Sequence, residues 1–194
     1  MLRQLITPAL AFALALPSAS AAEPVPEILR LRAVAVSINT KARATSLDIV
    51  IERWSTPEEV AALKSVLQNQ GADKLLGALQ RIRPRCGYIR RPATLAWDVY
   101  YAREEALPDG GRRILLGTDR PQSQWEIMNH PRSEEFAFSL AEIRLGADGK
   151  GEGKTIPAAR VSIDPKTGSL QIDNYQIQPN RLNQVQVVAP EGKK

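Results

Sequence analysis

The sequence predicts a mainly β (α+β) fold, an antiparallel β-sandwich or barrel of about nine strands with one helical hairpin inserted after the second strand. Three observations predict it. Apolar residues recur at every second position over much of the chain, as in Leu47, Ile49 and Ile51, which is the period of a half-buried strand. Short turn-forming stretches such as Pro108-Asp109-Gly110 separate these segments, and such links join antiparallel neighbours. Residues 56–82 alone repeat their apolar side chains at helical spacing.

Residues 1–22 read as a signal peptide. Arg3 precedes an apolar run from Leu5 to Leu16, Pro17 breaks it, and Ala19-Ser20-Ala21 is a small-residue cleavage site. The run falls well short of the ~20 residues a membrane-spanning helix needs, so the mature chain is expected to carry no transmembrane segment. Residues 23–194 fit one domain by length, exported to the periplasm or the cell exterior. Cys86 is the only cysteine, which excludes a disulfide within the chain and predicts a buried thiol. The net charge of +5, less Arg3 after cleavage, permits attraction to anionic surfaces but is no specific nucleic-acid footprint.

The first strand is expected over Ile28 to Ile38, with an apolar parity that changes near Ala33 and so implies a bulge or two covered faces. The second runs from Ser46 to Trp54. Thr56-Pro57-Glu58-Glu59 then offers an N-cap hydroxyl, proline at the first helical position and an acidic residue at N3, which is a capping box. Val60, Leu63, Val66 and Leu67 make one stripe; Gly71 closes the helix, and Asp73 can cap a second helix carrying Leu75, Leu76, Leu79 and Ile82. Strands resume after Pro84: Cys86 to Arg90, Thr94 to Arg103, Arg112 to Arg120, Glu135 to Leu145, Lys154 to Asp164, Ser169 to Tyr175 and Asn183 to Val188. Leu95, Trp97, Val99 and Tyr101 share one parity and are expected on the core face, with Phe136 and Phe138 completing that core.

The hairpin around Pro108-Asp109-Gly110 carries the candidate site. If the turn pairs Leu107 with Gly111, Asp98 falls opposite Arg120 and Val99 opposite Asp119, bringing unlike charges together beside the core. Asp98 and Asp119 are therefore expected to partner Arg103 and Arg120. Arg103, Asp119 and Arg120 form the expected ligand-binding group, and Trp125 is expected to cover one mouth of the β structure, where barrels hold ligands.

Other motifs weigh less. Gly149 to Lys154 is glycine- and lysine-rich but lies between strand patterns rather than before a helix, so it reads as a flexible β-turn, not a phosphate cradle. Arg81, Arg83, Arg85, Arg90 and Arg91 are more simply a solvated edge than a polyanion grip. His130, the only histidine, sits in a loop with no nucleophile elbow in the chain, and one His with one Cys makes no zinc site. Asp98, Glu104, Glu105, Asp109 and Asp119 leave paired-carboxylate hydrolysis as an alternative.

Three stretches, YAREEALPDGGRRILLGTDRP (Tyr101 to Pro121), FAFSLAEIRLGADGKGEGK (Phe136 to Lys154) and NYQIQPNRL (Asn174 to Leu182), resemble segments of a group of exported bacterial proteins of unknown function. The resemblance implies export and a single domain and leaves the mechanism open. The expectation is a non-enzymatic binding module for a small or anionic ligand or an envelope component, with neither cofactor nor metal, its partner a ligand or another protein. The alternative is a cofactor-free hydrolase.

Overall fold

A computed structural model describes residues 27–36, 44–120, 128–129, 135–164, 166–167, 170–175 and 178–189. The predicted signal peptide, Trp125 and His130 lie outside them. Ten strands form one antiparallel, nearly closed, barrel-like sheet: β1 (Leu29–Val36), β2 (Ala44–Ile51), β3 (Gly87–Arg90), β4 (Trp97–Val99), β5 (Tyr101–Ala106), β6 (Arg112–Asp119), β7 (Phe138–Leu145), β8 (Lys150–Ile163), β9 (Leu170–Asn174) and β10 (Asn180–Val187). Helices α1 (Pro57–Gln70) and α2 (Ala72–Leu79) follow β2. The order around the sheet is β4-β3-β2-β1-β10-β8-β7-β6-β5, with β9 added beside β8. Of the two architectures the sequence allowed, the nearly closed sheet is the barrel-like one.

The ends of that path, β4 and β5, are consecutive in the chain. β4 pairs with β3 and β5 with β6, so the ring closes through the backbone at Tyr100. The seam is pinned there: Cys86 N–H donates to the Val99 carbonyl at 2.7 Å, and Tyr100 N–H to the Gly117 carbonyl at 3.0 Å. Ser55 N–H donates to the Ala102 carbonyl at 2.8 Å.

The turn pairs as expected, with Leu107 N–H donating to the Gly111 carbonyl at 2.9 Å and Tyr101 opposite Gly117. Gly110 takes φ +80°, a conformation that costs other residues steric strain. The single long strand expected over Thr94 to Arg103 does not form. Residues 94–96 are not strand, Leu95 is 90% exposed, and parity resets at Tyr100: Val99 and Ala102 point inward, whereas Tyr100 and Tyr101 both lie on the outside. One chain must serve two neighbours in turn, and the reset lets it. Trp97 keeps the parity of Val99, opposite Ile89, but at the end of the strand path it is only half-buried, under the Arg91 guanidinium at 4.5 Å from the ring centre.

β1 keeps one parity, with Leu29, Leu31, Ala33 and Ala35 all facing the interior. The irregularity near Ala33 belongs to its partner: between the pairs Arg32 with Gln186 and Val34 with Asn183, β10 has one residue more than β1. Gln184, at φ +51°, absorbs it. The expected turn at Gly149 to Lys154 is also shorter than its glycines imply, because Lys150 already begins β8. Gly153 serves packing there. A Cβ on it would lie 2.6 Å from the Glu142 carbonyl oxygen, so the glycine lets β8 approach β7.

The interior is a continuous cluster of aliphatic side chains, among them Leu31, Ile49, Ile114, Ile143 and Leu182, each at most 1% exposed. Cys86 is buried with them as expected; burial pushes its thiol pKa up, and it donates to the Tyr100 carbonyl at 3.2 Å. A second cluster lies outside the ring, where Leu67, Leu75 and Leu79 of the helices meet Tyr100, Phe138, Ala159 and Val161. Phe138 and Tyr101 belong to this outer layer. The capping box is present in both directions, Glu59 N–H to Thr56 Oγ1 at 3.2 Å and Thr56 N–H to Glu59 Oε2 at 3.0 Å. Gly71 rather than Asp73 stands at the N-cap of α2, with no side-chain capping bond.

Candidate binding cleft between the helices and the barrel wall

The helical hairpin does not lie flush on the barrel. Beside the contact through Leu67, Leu75 and Leu79 a cleft of about 700 Å³ opens, lined by these three with Leu63 and Lys64 on the helices and by the outer face of β5 to β9. That volume falls inside the ~300–1,000 Å³ typical of small-molecule sites. Its floor follows from strand register, because residues directly opposite one another share a face. One row across the outer face is Tyr101, Gly117, Leu140 and Ile156. The row toward the seam holds Asp119, Phe138, Ala159 and Asn174. Gly117 is small because the Tyr101 side chain lies over it; a Cβ there would be 3.3 Å from that of Tyr101. Val161, Ile163 and the 47% exposed Ile172 extend the apolar wall.

The next row, away from the seam, changes character: Arg103, Leu115, Glu142, Lys154 and Arg181 stand side by side. Beyond it come Glu105, Arg113, Arg144 and Glu152. Glu142 accepts from Lys154 at 3.1 Å and from Arg144 at 3.0 Å. Burial raises its pKa, but those two cations together outweigh burial and hold the carboxyl below its usual range. A second, polar depression of about 470 Å³ shares Glu142 and Lys154 with the apolar cleft and is bounded by Arg144, Glu152, Arg181 and Asn183.

The expected site residues do not meet. Arg103 stands in the charged row and pairs with Glu105 at 3.4 Å. Asp119 lies four residues along β6 from Leu115, Arg103's partner, roughly 13 Å at the strand rise. There it accepts a bond from Gln80 Nε2 at 3.0 Å. Arg120 Nε donates to the Phe136 carbonyl at 2.8 Å.

The pairing of Asp98 with Arg120 across the hairpin is replaced, because β4 leaves β6 for β3. Asp98 instead binds Arg85 at 2.6 Å, and Arg85 also grips Glu52 through two bonds of 3.0 Å. Both aspartates raise the pKa of Tyr100, after burial, which is the larger cause. The two carboxylates thus have separate partners. The arginine run is dispersed likewise, Arg83 over Tyr100, Arg85 over Tyr88 and Arg90 on Asp48 at 3.3 Å.

Among the described residues no three His, Cys, Asp or Glu side chains gather into a metal site, and no helix is long and apolar enough to cross a membrane. Sequence reasoning missed the cleft, although its roof was legible as the stripe of Leu63, Leu67, Leu75 and Leu79. Which wall that stripe covers depends on strand order. Compared with protein-family models, curated proteins and solved structures, the chain matches none.

Proposed function

We propose that this is an exported, non-enzymatic binding protein that holds an apolar ligand between its helical hairpin and its barrel wall. The observation that carries the reading is the cleft of about 700 Å³, walled by leucine, isoleucine, valine and aromatic side chains and open at a charged end. An unfilled apolar surface of this kind is unfavourable in water, and filling it with a ligand is the usual resolution. The interior of the barrel is lined by a cluster of buried aliphatic side chains, whereas the cleft is open to a ligand from outside. Export to the periplasm or the cell exterior rests on the N-terminal charge, apolar run and small-residue cleavage site.

Titration with a neutral environment-sensitive fluorophore such as N-phenyl-1-naphthylamine tests the reading. Saturable enhancement at one site is expected, and Leu140→Asp, which puts a charge on the floor, should abolish it. Leu63→Asp on the roof should do the same from the opposite wall, with circular dichroism confirming that each variant is folded. No enhancement with the unaltered protein, or full enhancement in both folded variants, refutes the proposal.

A further inference from the structure

We infer that the ligand is a single-chain amphiphile with an anionic head, its chain against the row of Tyr101, Leu140 and Ile156 and its head on the charged rows beside it. The inference rests on the cleft reading and adds the ligand's chemistry and orientation. Two residues along β5, β7 and β8 the same face changes from apolar to ionic, from Tyr101 to Arg103, Leu140 to Glu142 and Ile156 to Lys154, so a ligand long enough to fill the cleft must present unlike ends.

The sign of the head follows from the charges. The two rows bring together five cations, Arg103, Lys154, Arg181, Arg113 and Arg144, against three carboxylates, Glu105, Glu142 and Glu152. Lys64 of α1 adds a sixth cation from the opposite lip. Two of the three carboxylates are already engaged, Glu142 by Lys154 and Arg144, and Glu105 by Arg113 at 2.8 Å and Arg103 at 3.4 Å; Glu152, which forms no salt bridge among the described residues, offsets one of the remaining cations. Arg181 and Lys64 form no salt bridge among the described residues, although Arg181 stands opposite Lys154 and borders the polar depression that joins the cleft. A carboxylate or phosphate there would take charge-assisted hydrogen bonds from donors that the protein does not otherwise use. A cationic head would meet this excess of like charge.

The test displaces the neutral fluorophore with three ligands of one chain length, dodecanol, dodecanoate and dodecyl phosphate. Both anions should bind at least about tenfold more tightly than the alcohol, the size of one hydrogen bond to a charged group, and the stronger of the two identifies the head as carboxylate or phosphate. The advantage should shrink with added salt. Arg181→Glu and Lys64→Glu, each on the surface, should bring the anion and alcohol affinities together. Displacement by all three with equal affinity overturns the headgroup assignment while leaving the cleft reading intact. Failure of all three, dodecanol included, overturns the cleft reading itself.

Discussion

Replacing Thr56 by alanine should loosen the roof of the cleft and leave the barrel unaltered. Thr56 Oγ1 accepts the Glu59 amide at 3.2 Å, and the returning bond from Thr56 N–H to Glu59 uses the backbone, so the substitution deletes one of the two capping bonds. Loss of such a cap costs about 1 kcal/mol, which multiplies the population of the opened helix by about fivefold. The cost should stay local. Of α1's residues only Leu67 is buried, and the helix reaches the barrel through the outer cluster rather than through the interior.

Hydrogen exchange read by mass spectrometry separates the two layers. Amides of residues 60–70 should exchange about fivefold faster, by the same conversion, while those of β2, β6 and β7 keep their rates. Glu59→Ala should exceed the effect, because it also removes the paired bonds of 2.9 Å from Arg53 to the Glu59 carboxylate. Acid should reach the same state without mutation. Hydrogen bonding from Arg53 is the main cause holding Glu59 below its usual carboxylate pKa. The stabilisation this supplies is complete above the unfolded value of about 4.3 and fades as pH falls through the lower folded value. Equal acceleration in helix and barrel, or none in the helix, would refute the idea that the roof opens independently.

Two further outcomes concern the barrel. Ile143→Ala removes a side chain with no exposed surface at the centre of the ring and should cost roughly 2–5 kcal/mol, measured by urea denaturation, with cleft binding retained in the fraction that stays folded. Cys86, buried with a thiol pKa pushed up by burial, should resist maleimide in the native protein at neutral pH and label on unfolding. Rapid native labelling would show that the seam at Tyr100 opens readily.

Much of this protein was set by local sequence. The hairpin register follows from Pro108-Asp109-Gly110, because that turn fixes which residues face each other, and the structure pairs Tyr101 with Gly117 accordingly. The start of α1 follows from Thr56 to Glu59, and the inward set of Leu47, Ile49 and Ile51 from period alone. Each depends on residues within a few positions of one another. The cross-hairpin pairings of Asp98 with Arg120 and Val99 with Asp119 were not legible, since the hairpin register was extended past Tyr100 to a strand that by then pairs with β3.

Only the tertiary structure decided the rest. Closing a ring requires one strand to serve two neighbours, and the parity reset at Tyr100 that this demands leaves no local signature. The partners of Asp98, the wall beneath the helical hairpin and the juxtaposition of Lys154 with Arg181 are all products of strand order, which couples residues far apart in the chain through the shared interior. Period-two patterning specifies which side of a strand is buried. It does not specify against what, and the cleft lies between surfaces chosen by that second question.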